Sequence, residues 1–198
     1  PGGRTSTIAT PEGFKFDLGP TFFLYPRVLE EIFQTCGREL RREVEMVRLD
    51  PQYRLIFGSG GELSCTPDVA RMEAEVSRFS PADRGSFTRF MESTRAKFER
   101  FAPFLEQPFQ TWLDLASPEL IKLVPMLKPW RSLDAELGTF FSDERIRLAF
   151  TFQSKYLGMS PFKCPSLFSI LSFLEYEHGV FHPCLLYTSD AADDTPCV

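Results

Sequence analysis

The chain has 198 residues, of which 43% are hydrophobic, and a formal charge of -5. That is enough for one ordinary domain core, and the acidic balance argues against general nucleic-acid binding, which needs a basic face. No run of 18 apolar residues occurs and no charged-then-apolar leader opens the chain, so neither a spanning helix nor a signal peptide is expected.

Cys36, Cys65, Cys164, Cys184 and Cys197 form no CxxC pair and keep no regular spacing. A disulfide framework and a zinc site are therefore not expected, and a reducing cytoplasm is the default compartment. Phe, at 21 residues, makes the apolar surface unusually aromatic.

In chain order, Pro1-Gly-Gly-Arg4 offers two residues without a Cβ, where main chain can approach a bulky anion, then a planar cationic fork. An ordinary surface turn uses the same residues. Residues 5–10 are β-branched and predict a short strand. Pro11-Glu-Gly13 turns it back into Phe14-Lys-Phe16, and Gly19-Pro20 ends the hairpin. Pro26 opens a helix with Val28, Leu29, Ile32, Phe33 and Cys36 on one side, and Gly37 stops it. Residues 43–49, 53–57 and 62–65 predict three strands of a small meander, with a turn at Gly58-Ser-Gly-Gly61.

From Asp68 the apolar period changes from two to 3.6, and Val69, Met72, Val76 and Phe79 mark a helix. Ser80-Pro81-Ala82-Asp83 predicts the start of the next. Its stripe is Phe87, Phe90, Met91, Thr94, Phe98, Phe101 and Leu105, with Arg89, Glu92, Lys97 and Arg100 on the other faces. Such a stripe is either core or one wall of an apolar ligand tunnel. Further helices are predicted over 120–127, 133–141, 145–157 and 166–177, the third capped by Ser142 with Asp143 and Glu144 in its first turn. Gly179 ends the last, and Val180 starts an extended piece. His178 and His182 bracket that glycine, so a helical metal pair is not expected, and no metal is assigned. Cys164 has Lys163 beside it but no activating base, and reads as a packed or surface thiol.

Residues 184–198 break the pattern: Cys184-Leu-Leu-Tyr-Thr-Ser-Asp-Ala-Ala-Asp-Asp194 lacks periodicity and resembles a translated transposase adapter from sequencing-library preparation. With no Met at Pro1, the sequence reads as an internal fragment.

The order Gly2-Gly3-Arg4, Gly13-Phe-Lys-Phe-Asp17, Gly19-Pro20-Thr21 resembles the second flavin-contacting segment of the phytoene desaturase family, FAD-dependent carotenoid desaturases related to the amine oxidases. Ser142-Asp-Glu-Arg-Ile-Arg-Leu-Ala-Phe-Thr-Phe-Gln153, Leu157-Gly-x-x-Pro161, Pro165-Ser-Leu-Phe-Ser-Ile-Leu171 and Glu175-x-x-x-Gly-Val-Phe181 resemble the middle of the same family, in colinear order.

The resemblance implies a mixed α/β flavoprotein: part of a Rossmann-like, glutathione-reductase-type FAD domain with a helix-rich substrate region. Residues 1–25 would be an FAD-binding segment, 26–160 the substrate or lid region with a small sheet, and 161–183 the return toward the FAD domain. Gly2, Gly3, Arg4, Gly19, Pro20 and Thr21 would contact FAD. Asp114, in Phe109-Gln-Thr-Trp-Leu-Asp114, would be the acid or base; its alternative is a helix cap or a solvated carboxylate, and Leu113 stands where some relatives have Arg. The implied activity is hydride transfer from a long polyprene to flavin, at the surface of a membrane with which a cytoplasmic enzyme associates peripherally. The competing readings are a carotenoid isomerase or saturase on the same fold, and a non-enzymatic apolar-ligand-binding helical module. The Gly-x-Gly-x-x-Gly turn and its acidic partner are absent from this stretch, so the chain alone is expected to be colourless and inactive.

Overall fold

A computed structural model describes residues 7–17, 19, 22–105, 107–108, 110–111 and 117–183. The chain divides into two units, Pro1–Leu49 with His178–Val198, and Asp50–Glu177.

In the first unit the hairpin forms as its turn chemistry requires. Strands β1 (Thr7–Ala9) and β2 (Lys15–Asp17) pair antiparallel, with Ile8 opposite Phe16 and Gly13 at a φ of +88°. After β3 (Phe23–Leu24), helix α1 (Arg27–Thr35) begins behind Pro26 and stops at Gly37, whose φ is +73°. A short helix α2 (Leu40–Glu43) precedes β4 (Met46–Arg48). Strand β7 (Val180–Pro183), from the far end of the unit, lies between β3 and β4 and pairs antiparallel with both. The predicted three-strand meander is thus corrected: β4 joins β7, which no local pattern announces, and only β5 (Tyr53–Ile56) and β6 (Glu62–Cys65) form a local pair.

The second unit is built on α3 (Val69–Phe79), α4 (Ser86–Leu105), α5 (Pro118–Leu127), α6 (Leu133–Leu137), α7 (Glu144–Ala149) and α8 (Ser169–His178). Helix α3 has the predicted bounds within one residue and is capped by Asp68, whose side chain accepts from the Arg71 N–H at 2.9 Å. The start predicted at Ser80 is a separate 3-10 turn, Pro81–Asp83, because Gly85 turns the chain at a φ of +76°. Helix α4 begins beyond it, and Glu73 of α3 satisfies its first N–H groups, accepting from Gly85 at 2.6 Å and Thr88 at 3.0 Å. Asp83 performs the same service for α7, accepting from the backbone N–H groups of Ser142 and Asp143 at 2.6 and 3.0 Å. Burial pushes the Asp83 carboxyl up, but these donors outweigh it and hold it below its ordinary value.

The single helix predicted over 145–157 is two pieces, α7 and a 3-10 turn at Phe152–Leu157, and 166–177 likewise opens with a 3-10 turn at Ser166–Phe168. The first half of the α4 stripe is core. Phe87, Phe90, Met91 and Thr94 are buried, with Phe141 and Phe150 stacked at 4.8 Å beside them and the Tyr176 ring 5.2 Å edge-on to Phe87. Each such aromatic pair adds about 1 kcal/mol beyond its burial. The second half is less covered: Phe98 and Phe101 are half-buried and Leu105 is exposed.

Candidate functional site

Of the residues assigned to flavin or to acid–base chemistry, Gly2, Gly3, Arg4, Pro20, Thr21 and Asp114 lie outside the described residues. Gly19 is half-buried just beyond β2. The hairpin leading to it leaves Ile8, Phe14 and Phe16 exposed. Helix α8 ends at His178, Gly179 follows at a φ of +86°, and His182 sits on β7 opposite Val47, so the two imidazoles do not share a helix face. Cys164 is buried, and burial pushes its thiol pKa up, which makes it a packed and unreactive sulfur.

The most chemically distinctive group in the second unit surrounds Glu175, the first residue of the Glu175-x-x-x-Gly-Val-Phe181 motif, to which the motif alone gives no role. Its side chain is fully buried on α8. Gln153 Nε2 donates to Oε2 at 2.8 Å, Tyr53 OH donates to the same oxygen at 3.0 Å, and Tyr156 OH donates to Oε1 at 2.9 Å. Gln52 Nε2 donates to the Glu175 main-chain carbonyl at 2.5 Å. Three separate elements converge here. The β5–β6 register sets Tyr53 opposite Cys65, and the Phe152–Leu157 turn presents both Gln153 and Tyr156.

The donors to this carboxylate are neutral. Burial pushes the Glu175 carboxyl above its ordinary value, and the hydrogen bonds from Gln153, Tyr156 and Tyr53 with the charge of Lys155 reverse only part of that. Tyr53 OH also lies 3.1 Å from Tyr176 OH, and burial drives both phenols upward. The Cys65 thiol beside them is pushed up to about 12, again chiefly by burial. Gln153 Oε1 is buried without a hydrogen-bond partner. Tyr156, whose hydroxyl donates to this acid, is 38% exposed. The group is a buried carboxyl bonded to neutral donors, whose burial favours its protonated form.

A second buried acid, Glu136 of α6, has the opposite setting. Lys97 Nζ lies 2.7 Å from its Oε1, and Lys128 and Arg131 add cations at 3.4 and 3.2 Å from Oε2. Burial alone would raise this carboxyl; the Lys97 hydrogen bond and charge, with Lys128, hold it below the ordinary range. The pattern places Lys97 off the apolar stripe of α4, yet it is buried. Its position three residues after Thr94 was the available signal. A cavity of about 390 Å³ opens between the β5–β6 turn and α7, walled by Phe57, Leu148, Pro161 and Phe162 with Asp134 and Arg145 at its polar side.

No family model matches the chain. It is 39% identical over 181 residues to a 4,4'-diapophytoene desaturase (4,4'-diapolycopene-forming) of a Methylomonas species, covering 91% of this chain and 35% of that protein. It is 35% identical over 186 residues to a lycopene-forming phytoene desaturase of Pantoea ananas, covering 92% and 37%. A zeta-carotene-forming phytoene desaturase of Myxococcus xanthus is 32% identical over 184 residues, covering 92% and 35%. The chain belongs to the phytoene desaturase family. It spans about a third of the length of these curated relatives. The architecture described above is a mixed one of helices and strands.

Proposed function

We propose that the chain is part of an FAD-dependent oxidoreductase that introduces double bonds into a long polyprene of the phytoene or diapophytoene type. The observation that carries this reading is the match over more than nine-tenths of the chain to desaturases with different named products. Saturases and isomerases on the same fold are less favoured, because the relatives are named as desaturases.

Two glycines and a guanidinium at Gly2, Gly3 and Arg4 are a donor set that fits an anionic cofactor, and with Gly19, Pro20 and Thr21 they would hold FAD. When bound, FAD supplies the acceptor for a hydride leaving an allylic carbon of the polyprene. The chain's own task is to keep water out and to take the proton from the neighbouring carbon as the new double bond forms. Asp114 is the carboxylate the family resemblance assigns to it. Among the described residues Glu175 is a buried carboxyl with neutral donors, and in its protonated form a half-turn of the Gln153 amide would bring the unpaired Oε1 to accept from it.

A polyprene is dissolved in membrane, so the enzyme meets it at a bilayer surface. Leu105 of α4, Ile121 of α5 and Trp130 are exposed apolar side chains that support peripheral contact. No helix among the described residues is long and apolar enough to cross a membrane.

The test is expression of the complete reading frame carrying this chain in cells that accumulate colourless phytoene or diapophytoene. Coloured, longer-conjugated product is expected. Unchanged polyprene in cells with abundant folded protein overturns the reading.

A further inference from the structure

Three cations converge on one buried carboxylate where α4, the end of α5 and the start of α6 meet. Lys97 Nζ is 2.7 Å from Glu136 Oε1, Lys128 Nζ is 3.4 Å from both carboxylate oxygens, and Arg131 Nη1 is 3.2 Å from Oε2. Among the described residues no second carboxylate pairs with these three, since the neighbouring Asp134 is taken by Arg147 at 3.7 Å. Among the described residues, three positive charges against one negative leave two uncompensated.

Their placement is graded. The Lys97 side chain is only 8% exposed and is sealed against Glu136, whereas those of Lys128 and Arg131 are 37% and 33% exposed. Lys97 and Glu136 thus form a floor, and the excess charge stands where solvent can reach it. Lys128 is held at a φ of +45°, a left-handed conformation that costs a lysine about 1 kcal/mol. The Ser166 hydroxyl, donating to the carbonyls of Leu127 and Lys128 at 2.8 and 3.0 Å, fixes that turn.

We propose that Lys128 and Arg131 form a binding site for a phosphate oxyanion, seated on the buried Lys97–Glu136 pair. A phosphate group matches the site because its one to two negative charges cancel the excess and its oxygens accept from an ammonium and a guanidinium together. The phosphate is either a soluble one or a lipid headgroup. Trp130, 72% exposed between the two cations, is suited to the interfacial region in the second case and reports on both. The inference rests on the cluster and stands apart from the desaturase reading, because its readout is binding and not turnover.

The experiment follows Trp130 fluorescence in a Trp112→Phe background. One arm titrates inorganic pyrophosphate. The other adds phosphatidylcholine vesicles with and without phosphatidylglycerol. Saturable, salt-sensitive binding is expected, weakened about tenfold in Lys128→Ala and in Arg131→Ala, and largely retained in Lys128→Arg. Response to pyrophosphate assigns a soluble ligand; response to anionic vesicles alone assigns a headgroup. Absence of binding in both arms overturns the proposal. So does vesicle binding that is equal with and without phosphatidylglycerol when pyrophosphate gives no response, or full affinity in either alanine variant with an unchanged circular dichroism spectrum.

Discussion

Glu175 and Glu136 are buried to nearly the same extent, at 0% and 2% exposure, and their surroundings push them in opposite directions. Glu175 sits among neutral hydroxyls and amides and is held above its ordinary pKa, whereas Glu136 sits among cations and is held below it. Burial raises both carboxyls. What decides the outcome is whether the hydrogen-bond donors also bring charge. The first arrangement favours the protonated form, and the second suits fixing charge in place.

The largest effect expected from this contrast is at Glu136. Glu136→Ala strands Lys97 in the core and leaves three cations facing one another, at a cost of about 3 kcal/mol or more in chemical unfolding. Replacing the pair together, as Glu136→Leu with Lys97→Met, should recover most of that loss. A single alanine variant within about 0.5 kcal/mol of the parent would mean that the cations do not depend on the carboxylate.

The pH dependence then separates the two acids by sign. The lowered Glu136 contributes stability that is present above its unfolded value, near pH 4.5, and lost as pH falls through the lower folded value. The raised Glu175 contributes stability that is full below the unfolded value and lost as pH rises through the higher folded one. The cost of Glu136→Gln should therefore shrink on acidification below about pH 4.5, and that of Glu175→Gln should shrink as pH rises above it. Unfolding free energies of the two variants across the acid range check this, and parallel trends would contradict it.

Tyr53→Phe should cost about 1 kcal/mol, because it removes one donor to Glu175 and leaves Tyr156 and Gln153 in place. The same variant should push the Glu175 carboxyl higher still, read as a higher midpoint in the pH titration of its carboxylic infrared band. The smallest effect concerns thiols. Cys65 and Cys164, buried and raised, should resist alkylation in the folded chain while exposed Cys36 reacts, as residue-resolved mass spectrometry would report.

Much of the second unit was legible in the sequence because its signals are local. The Asp68 cap and the Val69, Met72, Val76 and Phe79 stripe placed α3, and Phe87, Phe90 and Met91 placed the core face of α4. The pairing of β4 with β7 joins strands more than 130 residues apart, and no short-range pattern encodes it. The Asp83 and Glu73 caps were missed for the same reason, since each serves a helix other than its own. Lys97 was misplaced because a binary pattern sends every lysine outward, whereas Glu136 draws this one in. The Glu175 cluster draws on β5, a 3-10 turn and α8, so its residues meet only in the folded chain. The glycine-rich segment from Gly2 to Thr21, by contrast, is a contiguous motif, and family membership follows from the order of such motifs along the chain.

The central claim, that this chain serves hydride transfer from a polyprene to flavin, is tested most directly with the complete FAD-loaded protein under anaerobic conditions. Adding phytoene or diapophytoene should bleach the oxidised-flavin absorbance in proportion to the double bonds gained by the product. A flavin that stays oxidised while the polyprene is isomerised or left unchanged would contradict the account.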